Sequence, residues 1–276
     1  KSGTDQTSIE QNIGDYFTQN TPLLDTYSGA AAAYSLRKLR TAYTGSAIRV
    51  RRASNNDEQD IGFNVFGELD TVALAAFCGS SDGFVRTWYD QSGNSNDAEQ
   101  DPTSGGSASA QPKIYDGTNG VVTENGKPAL YFESSFISAP DIALSRATCF
   151  VHHTNFDANA RMAAAFDRNE NSFFYDTVTG YWMRNGDSIQ ITGLASTTKK
   201  LVYALVDSNG GELAINGATA TTGTLYVLSG RMRLDIGKRI NSYWKGTFSE
   251  VIVYDSDQSD NRTEIETNIN TFYDIF

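Results

Sequence analysis

The sequence predicts an all-β sandwich. From residue 111 onward, short apolar runs recur with turn chemistry between them: PKIY, PALYF, ATCFVHHT, MAAAF, FFYDT, GYWMRN, LVYALV, GELAING, RMRLDIG and FSEVIVY. Asn-Gly pairs at 125–126, 185–186, 209–210 and 216–217 suit two-residue hairpins, whose central positions need positive φ. The last third then reads strand, Asn-Gly turn, strand, Gly-led strand and acidic-capped helix. Repeated short strands with little helix pack as two antiparallel layers.

The elements follow in chain order. Residues 7–17, TSIEQNIGDYF, resemble residues 263–273, TEIETNINTFY. In both, apolar residues fall at i, i+4 and i+8 (Ile9, Ile13, Phe17; Ile265, Ile269, Tyr273), the stripe of an amphipathic helix. Asp5 or Thr7 is placed to cap the first helix, and Asp260 or Asn261 the second. Residues 1–28 therefore read as a helical connector, the end of a preceding module of the same kind, with Thr21-Pro22 breaking the helix. Residues 29–276 read as the sandwich. Helix formers at 30–41 predict a short helix with Tyr34, Leu36 and Leu39 inward. AIRVRRAS alternates as a half-buried strand, DTVALAAF suits a helix capped by Asp70, FVRTWYDQ is a strand, and residues 101–110 form a Gly/Ser loop.

Composition narrows the function. A net charge of −11 excludes a phosphate-backbone surface, which needs clustered Lys and Arg. No apolar run reaches the roughly 20 residues of a membrane span, so no membrane insertion is expected. Cys78 and Cys149 cannot build a disulfide framework or a zinc site, and read as buried thiols. The polar start without Met reads as a processed or excised piece.

Two blocks carry a family resemblance. AAYSLRKLRTAYTGSAIRVRRAS with TWYDQSGNSNDAEQ resembles the first half of the arabinofuranosidase catalytic domain of glycoside hydrolase family 54, where a strand ending in YDQSGN is a hallmark. LDIGKRINSYWKGTFSEVIVYDSD resembles that family's closing segment and, more loosely, laminin-G-like domains. The combination also resembles modules of phage tail and fibre proteins and of bacterial surface proteins. The resemblance implies a concanavalin A-like jelly roll over about residues 30–270.

It also implies where chemistry would sit. A retaining glycosidase needs a nucleophile and an acid/base carboxyl roughly 5–5.5 Å apart. The family's nucleophile is a Glu in an Asp-Leu-Glu-Asn stretch soon after a Trp. The comparable stretch here, Tyr181 to Ser188, holds no Glu, and Asp187 stands in only with a shift of register. The family's acid is an Asp in a loop that Ile236-Gly237 and Gly246-Thr247-Phe248 frame here. Arg239 takes the acid's place and Lys238 that of its Gly neighbour, and a guanidinium cannot give up its proton. The family's adjacent cysteine pair is missing. The expectation is therefore that no catalytic residue survives at the family positions.

Other side chains are weighed in turn. Asp167, Glu170, Asp176 and Asp187 lie near strand ends, as solvated turn groups or a relocated acid pair. Glu250 is expected to face away from Phe248 and Ile252; the other placement lines the concave face. Asp90 begins a tight loop and is expected to fold back on backbone amides. His152 and His153 point to opposite faces of a strand and cannot chelate one metal together. No metal site is expected, although loop oxygens of Asp90, Asn94, Asn96 and Asp97 leave calcium open as a cofactor.

Sugar binding needs flat aromatic faces with polar forks at the hydroxyls. Trp182, Arg184, Asp187, Arg239, Asn241, Tyr243 and Trp244 gather in the two segments that the resemblance brings to a cleft. The reading is a non-catalytic glycan-binding or adhesion module of a virion appendage or cell-surface protein, extracellular, partnered by glycans and by other modules of the same assembly. A glycoside hydrolase with a rebuilt acid pair is the alternative, and a purely structural appendage module the third reading.

Overall fold

A computed structural model describes residues 21–100, 106–155, 164–167, 175–177, 180–185, 187–192, 198–224, 231–239 and 242–276. The expected connector helix at 7–17 lies outside them. Leu23–Thr26 form one helical turn after Pro22, and Leu23 and Leu24 are buried in the cluster that also holds Ile265, Ile269 and Tyr273.

The architecture is the all-β sandwich, every described strand pair being antiparallel. One continuous sheet runs Ala164–Asp167, Arg231–Ile236, Ile137–Ala143, Ala98–Glu99, Gly83–Trp88, Lys113–Asp116, Leu130–Glu133, Lys245–Tyr254, Ala147–Asn155, Lys199–Asp207, Gly210–Ile215 and Thr221–Gly223. Both halves contribute to one core: Val85, Trp88, Ile114 and Leu234 from the first, Val151, Val202, Leu213 and Val253 from the second.

Lys245–Tyr254 is the hub. Its first half pairs with Leu130–Glu133 and its second half with Ala30–Ser35, while Ala147–Asn155 pairs along its other edge. It is buried on both faces over residues 246–254, which explains the unbroken apolar run of residues 251–254. Val251 and Val253 face the core between the layers; Ile252 and Tyr254 face a second cluster under the helix Arg262–Tyr273. That helix seats Ile265, Ile269 and Tyr273 on the sheet, as its periodicity predicts.

Three local expectations are corrected. Residues 30–35 form a strand, not the start of a helix. Their helix propensity yields to tertiary context, because small alanines fit where one face meets the core and the other meets the C-terminal helix. The C-terminal helix has Asn261 at its N-cap without a side-chain cap; Asn261 Nδ2 instead donates to Gln258 Oε1, and Asp260 lies in the preceding 3₁₀ turn. Finally, the hub strand bulges at Ser249: His152 pairs with Glu250 but His153 with Phe248. The bulge sets Glu250 on the opposite face from Phe248, as expected, where unbroken alternation would put both on one face, and leaves it on the face of Ile252, against the expectation.

Local chemistry elsewhere holds. Asp70 Oδ1 accepts from Ala73 N and caps Thr71–Cys78. Asn125 and Gly126 sit at φ 51° and 75° between Thr123–Glu124 and Lys127–Pro128, the geometry of a type I′ hairpin. Cys78 and Cys149 are buried free thiols, and burial raises the pKa of each.

Candidate functional site

The YDQSGN segment is a structural knot. Asp90 is buried; Oδ1 accepts from Ala33 N and Ser92 N, and Oδ2 from Ser92 Oγ and Asn96 N. Gln91, fully buried, accepts from Leu39 N and donates to the carbonyls of Ser35 and Arg37. Asn94 and Asn96 donate to carbonyls of residues 30 and 31. The motif satisfies the backbone of a neighbouring strand that makes a bulged pairing. Its oxygens serve protein donors, and among the described residues no group of three or more His, Cys, Asp and Glu side chains converges as a metal site.

Glu250 is also structural. Fully buried, it takes Nε of Arg37 on Oε2 at 2.8 Å and Nη2 on Oε1 at 2.9 Å, with Ser35 Oγ on Oε2 at 2.7 Å. It does not line a concave sugar-binding face. His152 and His153 fall on opposite faces, against Tyr273 and against Trp244 and Phe248 respectively. Burial lowers the pKa of both.

A cleft of about 570 Å³ opens where Ala98–Glu99, Ile137–Ala143 and Arg231–Ile236 lie side by side. Asp97 and Glu99 form one wall. They are two residues apart on an extended segment, which puts both side chains on one face. Burial raises the Asp97 pKa; a hydrogen bond from Asp90 N opposes this, and the Asp90 charge adds to it. Arg233, Ser138, Lys238 and Phe136 also line it, and Ser138 is the cross-strand partner of Glu99. Arg233 meets Asp235 through two nitrogens, at 2.9 and 3.0 Å, and Asp235 also accepts from Ser138 Oγ.

Lys238 leads from the cleft into the short hairpin Lys238–Arg239 and Ser242–Tyr243. Trp244 N donates to Gly237 O and closes it. This hairpin is the loop that the family resemblance assigns to the acid. Tyr243 is exposed at 38% and stands 6.1 Å from Phe136, ring centroid to centroid. Trp244, in contrast, is fully buried; its ring lies edge-on to His153 at 4.9 Å and packs on Phe248. It is a core residue and offers no face to a sugar, a correction that follows from its apolar surroundings.

Trp182, Arg184 and Asp187 belong to the hairpin Gly180–Asn185 and Asp187–Thr192, with Trp182 opposite Gln190 and Asn185 opposite Asp187. Arg239 holds its place in the 238–243 hairpin, while Asn241 and Glu170 lie outside the described residues. Asp167 pairs in register with Arg233 beside the cleft. The sequence reading did not select Glu99, Phe136, Ser138 or Arg233. The one signal for the acidic wall was Asp97-Ala98-Glu99, two carboxylates at strand spacing.

The comparisons with known proteins bear on this fold. A family model of the catalytic domain of alpha-L-arabinofuranosidase B matches residues 16–137. Alpha-L-arabinofuranosidase B of Aspergillus oryzae is 24% identical over 311 residues, covering 91% of this chain and 60% of that protein. The Emericella nidulans protein of the same name is 34% identical over 119 residues, covering 41% of this chain and 22% of that protein. The chain thus spans about 60% of the length of the first of these relatives. Among solved structures, a GH54 arabinofuranosidase soaked with a cyclic sulfate inhibitor superposes with TM-score 0.70 at 16% identity, over 91% of this chain and 64% of that one. An arabinofuranosidase complexed with arabinofuranosyl-alpha-1,2-xylobiose gives 0.66 at 16%, with the same coverage. At such identities the structures speak for the fold.

These findings overturn the expectation of a non-catalytic binding or adhesion module on a virion or cell surface. The similarity along nine-tenths of the chain runs to glycoside hydrolases, the reading carried as the alternative. The non-catalytic expectation rested on Lys238 and Arg239 standing where the family resemblance gives Gly and Asp; the cleft that Lys238 lines is also lined by Asp97 and Glu99. Among the described residues no helix is long and apolar enough to cross a membrane.

Proposed function

We propose that this chain hydrolyses α-L-arabinofuranosides outside the cell, using an acid pair rebuilt within the cleft. One observation carries the reading: Asp97 and Glu99 line the same cleft that the hairpin in the family's acid-loop position borders through Lys238. Asp97, half-buried with its pKa raised by burial, retains its proton to higher pH than an ordinary Asp, as a donor to a leaving oxygen must. Glu99, more exposed, is the second carboxylate, acting on the anomeric centre directly or through water. Arg239 cannot replace the acid, because it holds its proton at every working pH.

Sugar contacts come from the loop that Lys238 opens: Tyr243 as the exposed aromatic face, with Arg239 and Asn241 from the same loop; Trp182, Arg184 and Asp187, in the hairpin of residues 180–192, are proposed as further sugar contacts. The partners are arabinose-bearing glycans.

The test is release of 4-nitrophenol from 4-nitrophenyl α-L-arabinofuranoside and of arabinose from arabinan. Turnover that falls in Asp97→Asn and in Glu99→Gln supports the proposal. No release from either substrate, or release unaffected by both substitutions, overturns it.

A further inference from the structure

Lys238 is a cation held against aromatic rings. Its Nζ lies 4.1 Å from the Phe136 ring centroid and 5.7 Å from that of Tyr243. Among the described residues no carboxylate pairs with it. The other cleft cation, Arg233, is engaged by Asp235 through two nitrogens. The cleft lining therefore carries both signs of charge, the carboxylates of Asp97 and Glu99 and the ammonium of Lys238.

The backbone fixes this arrangement. Gly237 has φ +87°, and a Cβ there would lie 2.4 Å from Phe132 Cδ1 and 3.1 Å from Ser135 O. The turn that launches Lys238 is thus set by close approach to Phe132 and Ser135, and the two aromatic faces hold the stem that follows. An ammonium resting on aromatic faces keeps N–H groups for an anionic acceptor.

We propose that Lys238 is a specificity determinant that receives the carboxylate of a uronic acid unit in the glycan, so that the substrate class is an acidic, arabinose-bearing polysaccharide. This rests on the hydrolase reading of the same cleft. The ligand is a sugar because Tyr243 and Phe136 flank the ammonium with ring faces suited to stacking on sugar C–H groups. Its charge is sparse because a chain of net charge −11 repels dense polyanions at long range, and one cation then reads one carboxylate locally. Where the family resemblance gives Gly and Asp, this chain places Lys238 and Arg239, which reverses the local sign of charge.

The experiment measures binding, so it does not depend on turnover. Calorimetry with the full chain compares arabinoxylan bearing glucuronic acid with the same polymer after chemical reduction of its carboxyl groups. The expected result is about tenfold tighter binding of the acidic polymer, the worth of one charge-assisted contact. The preference disappears in Lys238→Met, returns in Lys238→Arg and shrinks as salt rises. Equal binding of the two polymers, or a preference that survives Lys238→Met in a variant that melts normally, overturns the proposal. Release of 4-nitrophenol from the uncharged aryl arabinofuranoside reads the hydrolase function separately. Release without an acid preference sinks this inference alone; an acid preference without release sinks the hydrolase reading alone.

Discussion

Arg37 and Glu250 form a two-pronged ion pair beneath the C-terminal helix, with both side chains buried. Tyr273 reaches the pair from that helix, its hydroxyl 3.3 Å from Glu250 Oε2 and 3.2 Å from Ser249 O, and the Arg37 guanidinium lies 4.9 Å above the Phe272 ring. The bulge at Ser249 turns Glu250 toward this helix. Removing one partner leaves the other charge buried without compensation. Glu250→Gln is therefore expected to destabilise the fold by about 3–5 kcal/mol. Chemical denaturation checks it. A loss below about 1 kcal/mol would show that the guanidinium is solvated by another route.

Acid should weaken the same region through His152. Its pKa is lowered to about 4, mainly by burial, although its Nδ1 lies 3.1 Å from Lys200 O. An unfolded histidine titrates near 6.5. Between those values the unfolded chain binds the proton and the folded chain does not, so stability falls as pH drops through this window and levels off below it. The full effect is of order 3 kcal/mol. His153, whose pKa burial also lowers, adds in the same direction. Melting temperature against pH should be steeper for the natural protein than for His152→Phe between pH 6.5 and 4. Superposable profiles would remove His152 from the account.

The sandwich was legible because its signals are local and redundant. Asn125-Gly126 can hardly do anything but turn, and Ile265, Ile269 and Tyr273 mark one face of a helix whatever surrounds them. The strand at Ala30–Ser35 was not legible, since its conformation is dictated by the hub strand and the knot at Asp90 and Gln91, far away in sequence. The bulge at Ser249 was hidden for the same reason: alternation cannot announce the residue at which it slips. At the site, the sequence located the 238–243 hairpin and chose Tyr243, which is exposed. It chose Trp244 as well, because a tryptophan beside polar residues reads alike whether its ring faces water or core. Asp97 and Glu99 come to the cleft that Lys238 lines only through the folded sheet.

Gly237 links stability to the site. A side chain there would collide with Phe132, whose ring packs edge-on against Phe248 at 5.2 Å, and the positive φ adds backbone strain. Gly237→Ala is expected to cost about 1–3 kcal/mol and to displace the hairpin that carries Lys238 and Tyr243. Glycan affinity should fall in parallel with melting temperature. A variant that melts lower but binds arabinoxylan unchanged would separate the hairpin from recognition.

Asp97 and Glu99 should fail differently when altered. Asp97→Asn removes a protonated donor, so turnover is expected to fall about 10²- to 10⁴-fold on substrates with poor leaving groups. The loss should be much smaller on 4-nitrophenyl α-L-arabinofuranoside, whose leaving group departs without help. Glu99→Gln removes the charge that acts at the anomeric centre, and both substrates should suffer alike. The two variants also separate by pH. The falling alkaline limb of the rate profile tracks deprotonation of the donor, so it should be present in Glu99→Gln and absent in Asp97→Asn. Steady-state rates on arabinan and on the aryl arabinofuranoside, measured across pH for both variants, decide the assignment. If Asp97→Asn loses activity equally on both substrates, with its alkaline limb intact, the donor is another carboxyl, and Asp167, on the strand in register with Arg233, is the next to substitute.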